Sequence, residues 1–183
     1  IEYVKSLVLG IIEGITEWLP ISSTGHLILF NEFFNNEGSF LESQLYLYVI
    51  QLGAIMAVVT LFFHKLNPFS KTKSRKQKVY TIQLWMKVVI ACIPAGVLGI
   101  LLDDWMDEHL HNYVVVAIML VLYGVFFILI ENWNKTRTPA VTKLNELTYK
   151  TAFLIGVFQV LSLVPGTSRS GATIIGGLLL GVS

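Results

Sequence analysis

The sequence predicts an all-α polytopic membrane protein with an inverted-topology repeat and two re-entrant, broken helix segments. Three observations carry this: long stretches without formal charge, loops of alternating charge sign, and two similar proline-hydroxyl-glycine breaks near the chain ends. Composition points the same way. Of 183 residues, 54% are hydrophobic and only 14% charged, and the mean hydropathy is +0.67. Soluble domains average about 45–50% apolar and about 25% charged. A formal net charge of +1 exerts no general pull on nucleic acid, which is not expected as a partner. The single cysteine, Cys92, lies in an apolar run and is expected to pack there.

In chain order, residues 1–19 form an apolar segment carrying Lys5, Glu13 and Glu17 and stopped by Pro20. Acids fall where a signal peptide needs an apolar core, so that reading is rejected. Residues 44–63 are twenty in a row without charge, enough at 1.5 Å per residue to cross about 30 Å of hydrocarbon. Residues 82–102 are a second span, interrupted by Lys87 and Pro94, and residues 113–130 a charge-free third. Proline is tolerated in such helices where neighbours satisfy the freed backbone groups. Residues 151–164 are uncharged but only fourteen long and stopped by Pro165; segments this short dip into a bilayer more often than they cross it.

The loops set the orientation. Residues 65–80 hold six of the thirteen Lys and Arg and no acid; residues 103–112 hold four of the twelve acids and no Lys or Arg. The positive-inside rule puts the first in the cytoplasm, and residues 131–150, with Lys135, Arg137, Lys143 and Lys150, inside again. The basic run also has the composition of a nucleic-acid or anionic-lipid patch, but topology alone accounts for it. One integral membrane domain follows: residues 1–43 a first re-entrant motif, 44–130 three spans, 131–150 a cytoplasmic loop, and 151–183 a second re-entrant motif.

The two breaks resemble each other. Residues 19–26 read LPISSTGH and residues 164–171 read VPGTSRSG, at an offset of 145. An odd number of spans separates them, so they enter from opposite sides. Broken helices so related build a polar site near the midplane.

Glu13 and Glu17 are four apart and share a helix face. Carboxylates in an apolar helix cost about 2–3 kcal/mol each on insertion scales and are kept where they face a partner or cavity; the alternative is a solvated interfacial helix. Joint ionisation of the pair calls for a bound cation, while one shared proton suits a proton acceptor. Ser22, Ser23 and Thr24 follow Pro20, and Ser22 taken alone reads as a helix cap. His26 is three residues from Ser23, within reach for acid-base or nucleophilic work. Arg169 is the only basic residue after Lys150. At membrane depth it needs an anion, and its fork fits phosphate oxygens, aided by free N–H groups from Ala172 onward. The competing reading is a plain ion pair with Glu13 or Glu17. His64 adjoins the basic loop, and His109 and His111 with nearby Asp residues read as a solvated loop before a metal site. No Walker, dinucleotide, HExxH or zinc-type spacing occurs.

At GIIEGITEWLPISSTGHL (10–27) and PGTSRSGAT (165–173) the sequence closely resembles the undecaprenyl-diphosphatase family, the bacterial bacitracin-resistance membrane phosphatases. The resemblance implies hydrolysis of undecaprenyl diphosphate to the monophosphate carrier of peptidoglycan precursors, in the bacterial plasma membrane, with a site open to its outer face. It implies dependence on a divalent cation, Mg²⁺ or Ca²⁺, held by Glu13 and Glu17. By position, Glu17, Ser23, His26 and Arg169 carry the family's catalytic roles. Ser22, Thr24, Gly166, Thr167, Ser168 and Ser170 are expected to bind substrate. Ser23 is the preferred nucleophile, with His26 or water next. Family members continue past the second motif with further helices, so the chain reads as truncated at its C-terminal end. A homodimer is compatible with this pattern. The rival readings are a polyprenyl-phosphate flippase without hydrolysis and a non-catalytic membrane scaffold.

Overall fold

A computed structural model of the chain describes residues 2–34 and 38–183, and among these the regular structure is helical. Eight α-helices follow in order: α1 (Glu2–Thr16), α2 (Ser23–Phe33), α3 (Gln44–Leu61), α4 (Phe63–Leu66), α5 (Arg75–Leu110), α6 (Tyr113–Asn134), α7 (Tyr149–Gln159) and α8 (Arg169–Leu179). An isolated bridge pairs Val141 with Val182. α3, α5 and α6 are long and apolar enough to cross a membrane.

The expected boundaries shift most at the second span. α5 runs through 36 residues, about 54 Å at 1.5 Å per residue, and takes up the end of the basic loop and nearly all of the acidic one. Nothing in RKQKVY or DDWMDEHL breaks a helix, so a helix nucleated in the span propagates outward at both ends. It starts at a capping box, Ser74 Oγ accepting from Gln77 N while the Gln77 side chain accepts from Ser74 N. Its charges, basic at the N-terminus and acidic at the C-terminus, oppose the helix dipole, so they do not stabilise the helix. Lys87, inside the span, is buried with its ammonium 5.8 Å from the Tyr149 ring centre.

Cys92 departs from expectation: it is exposed on α5. An apolar run in a span does not imply burial, because lipid covers its outer face. The same holds for Val89, Ile93 and Val97 on α5 and Val121, Ile128 and Leu129 on α6. Such surfaces would associate in water and are what hydrocarbon requires, so the chain is a membrane protein.

Two cores hold the helices together. Leu9, Leu27, Leu41 and Tyr46 join α1, α2 and α3, and the Tyr46 hydroxyl donates to the Ser6 carbonyl at 2.9 Å. Tyr123, Ala172 and Ile175 join α6 to α8. α5 and α7 cross where a Cβ on Gly156 would lie 2.1 Å from the Ala91 carbonyl oxygen. Small residues permit this approach, and packing rather than hydrophobic exclusion drives helix association in lipid.

Gly156→Ala is therefore expected to destabilise by at least about 1–3 kcal/mol, the usual range for overpacking. Gly96→Ala on the same helix pair, with open space around its Cβ, should be neutral or slightly stabilising. Thermal unfolding in detergent checks the contrast; equal midpoints would show that the crossing is looser than described.

Candidate functional site

The site is built from two interrupted helices. α1 ends at Thr16, though Glu17 N still donates to Glu13 O at 2.9 Å, so Glu17 stands one residue beyond the helix with its backbone half-held. The chain turns through Pro20 and Ser22, the latter at φ 64°, and Ser22 caps α2 by accepting from Gly25 N at 3.3 Å. In the second break α7 tightens into a 3₁₀ turn, Val160–Leu163, before Pro165. Gly166 takes φ 92°, and Ser168 caps α8 by accepting from Gly171 N at 3.1 Å. The Thr167 hydroxyl is shared between the carbonyls of Leu161 and Val164, at 2.6 and 2.5 Å. It closes the turn and has no proton left for a ligand.

These caps refine the register of the echo. The prolines are 145 apart, but the capping serines and their glycine partners, Ser22 with Gly25 and Ser168 with Gly171, are 146 apart. The second turn is one residue longer. Ser23 and Arg169 are thus structural equivalents, each the first residue of its helix.

The two breaks touch reciprocally. A Cβ on Gly25 would lie 3.2 Å from Gly166 Cα, and a Cβ on Gly171 would lie 3.1 Å from the Pro20 carbonyl oxygen and 2.9 Å from Tyr123 Cε1. Each glycine lets the other segment's turn approach the start of its helix.

Beside this crossing is a cavity of about 570 Å³. Glu17, Ser23 and Arg169 line it, with Ser22 and Thr24 from one side and Gly166, Thr167, Ser168 and Ser170 from the other. Ser23 Oγ donates to Glu17 Oε2 at 2.5 Å, a charge-assisted length. Arg169 is exposed in this cavity, and among the described residues no carboxylate lies within ion-pair distance of it, so the competing reading of a plain pair with Glu13 or Glu17 is not what the structure shows. The first turns of α2 and α8 both border the space, adding two positive helix ends.

Two predicted residues stand apart. His26 Nδ1 lies 2.8 Å from its own helix's Ser22 carbonyl, and the ring lines an adjoining apolar groove of about 430 Å³ with Ile21, Leu120, Tyr123 and Phe127. The Ser23 proton is directed to Glu17, not to His26. Gly166 borders both spaces. Glu13 is 1% exposed, and neither of its oxygens has a hydrogen-bond partner. A buried carboxylate left in that condition needs a proton or a cation. No group of three His, Cys, Asp or Glu comes together among the described residues to hold a metal. The two unpartnered Glu13 oxygens, one helical turn from Glu17, are hard donors of the kind Mg²⁺ takes, although Glu13 is not among the residues lining the cavity.

Sequence reasoning missed several lining residues: His111, Tyr48, Gln51, Gln159 and Ser162. His111 was read as part of a solvated loop, yet it terminates α5 and faces the cavity. His109 stacks on Trp105 instead, with ring centres 5.1 Å apart; the side chains of Asp103 and Asp107, which a metal site there would need, lie outside the described residues. A glutamine within a span was the legible signal for Gln51, since an amide in hydrocarbon is retained where it meets a partner.

The family model described as bacitracin resistance protein BacA matches residues 6–183. The chain belongs to the BacA family. Relatives named undecaprenyl-diphosphatase are 59% identical over 183 residues in Streptococcus thermophilus, 58% over 186 in Enterococcus faecalis and 54% over 184 in Desulfitobacterium hafniense. All of this chain is covered in each case, and 64%, 67% and 66% of the relative. The chain thus spans about two thirds of the length of these relatives.

The cap geometry generates a test. Ser22→Ala removes the α2 cap while keeping a strained φ and should cost about 1 kcal/mol or more; Ser22→Gly relieves the strain and should cost less. Thermal unfolding midpoints in the reverse order would show that the hydroxyl does not cap.

Proposed function

We propose that the protein hydrolyses undecaprenyl diphosphate to undecaprenyl phosphate and inorganic phosphate at the cavity between the two breaks, in the bacterial plasma membrane. The observation that carries this reading is the Ser23–Glu17 hydrogen bond of 2.5 Å in a cavity shared with the exposed Arg169. The names of the relatives support it.

The broken segments enter from opposite leaflets as an inverted repeat. Reciprocal contacts at Gly25 and Gly171 and the three long helices between the breaks support this arrangement. The diphosphate sits against Arg169 and the amides opening α2 and α8, while the prenyl chain leaves over Gly166 into the apolar groove. Ser23 transfers its proton to Glu17 and its Oγ bonds to the terminal phosphorus. The bond from that phosphorus to the bridging oxygen breaks, and undecaprenyl phosphate departs with the electron pair. Glu17 passes the proton to the leaving phosphate oxygen; water then gives a proton to the freed carboxylate as its oxygen bonds to phosphorus, the phosphorus–Oγ bond breaks, and Glu17 returns that proton to Ser23 Oγ as phosphate is released. Catalysis rests on positioning and on charge stabilisation by Arg169 and the helix ends. A divalent cation, Mg²⁺ or Ca²⁺, held by Glu13 and Glu17 would add neutralisation of phosphate charge.

Phosphate release from the C55 diphosphate by the purified protein tests this. Ser23→Ala, Glu17→Gln and Arg169→Ala should each lower kcat/KM by about 10²–10⁴, the scale of lost acid-base or electrostatic catalysis. Chelation should abolish release and Mg²⁺ or Ca²⁺ restore it. Lipid translocation without phosphate release would make the protein a flippase and end the phosphatase reading.

A further inference from the structure

The cavity has a third wall that belongs to neither break. Tyr48 and Gln51 are three residues apart on α3, so they share a face, and both line the cavity that the first turns of α2 and α8 border. Gln51 lies in the middle of a helix whose eighteen residues carry no charge. Its half-buried amide makes no hydrogen bond to any described residue, whereas Thr60 on the same helix returns its hydroxyl to the Met56 carbonyl at 2.7 Å. The difference is local. Thr60 satisfies itself within the helix, whereas Gln51 lines the space that Arg169 and Ser23 border. An amide retained at membrane depth without a protein partner is retained for one that arrives.

We infer that Gln51 is a substrate-positioning residue of α3 that donates its side-chain N–H to a phosphate oxygen of the bound diphosphate. Arg169 and the helix ends approach the anion from the two breaks, and Gln51 closes the remaining side with a neutral donor. A neutral group there holds the anion without competing with Glu17 for the Ser23 proton. This inference rests on the proposed phosphatase reading and adds to it a residue outside both repeat motifs.

The experiment measures binding of inorganic pyrophosphate by thermal-shift titration, and KM and kcat for the C55 diphosphate, in Gln51→Leu, Gln51→Glu and Arg169→Ala. Gln51→Leu keeps the volume and suits the span, so it should fold. It should weaken pyrophosphate binding and raise KM about tenfold, the factor of one hydrogen bond to a charged group, with kcat within about threefold. Gln51→Glu should weaken both further, because its carboxylate repels the anion. Unchanged pyrophosphate affinity and KM in both Gln51 variants, with affinity lost in Arg169→Ala, overturns the inference and leaves the phosphatase reading standing. A lowered melting temperature with unchanged KM assigns Gln51 a packing role and also overturns it. Unchanged pyrophosphate affinity in Arg169→Ala as well removes the anion site itself, and the underlying reading fails with it.

Discussion

A helix interrupted inside hydrocarbon exposes backbone donors and acceptors that no water can satisfy, and each one left unpaired costs several kcal/mol. The central constraint on this molecule is that its helices are interrupted twice, at residues 17–22 and 164–168, and that protein must cover the backbone groups so freed. Ser22 and Ser168 cap the helices that restart, Thr167 ties off two carbonyls of the helix that stops, and the remaining surface of each turn is covered by the other. Gly25 and Gly171 are the points where the two segments approach, and any side chain at either would push them apart.

The polar cavity is a consequence of that arrangement. Two restarted helices that abut near their first turns leave a shared space bordered by free N–H groups, and the first residue of each helix is carried to its rim. In one copy that residue is Ser23 and in the other Arg169. These two positions carry complementary chemistry, a hydroxyl held by a carboxylate and a guanidinium that meets none among the described residues. α6 braces the crossing through Val116 and Tyr123, and α3 closes the cavity with Tyr48 and Gln51.

Much of this was legible beforehand because it depends on properties that are local in the chain. Charge-free length identified α3 and α6, and proline with hydroxyls marked both breaks. The helix ends were less legible. Residues 75–80 and 103–110 look like loop by charge but have no breaker, and a helix already formed in the span simply continues through them. The apolar run around Cys92 points to packing, yet in a span such a run also has a face toward lipid, and Cys92 is on it. His26 looked poised over Ser23 from a spacing of three, but helix geometry gave its Nδ1 to the Ser22 carbonyl and turned the ring toward the apolar groove.

The sequence by itself determined that this chain enters a membrane, how many long spans it has, and which residues interrupt the helices at either end, since hydrophobic length and backbone breakers act over a few residues. Only the tertiary structure decided that Arg169 meets no carboxylate among the described residues and that Gln51, Gln159 and His111 share its cavity. Those facts depend on how segments more than a hundred residues apart cross, and the crossing is set by close backbone packing, which no spacing within a single segment encodes.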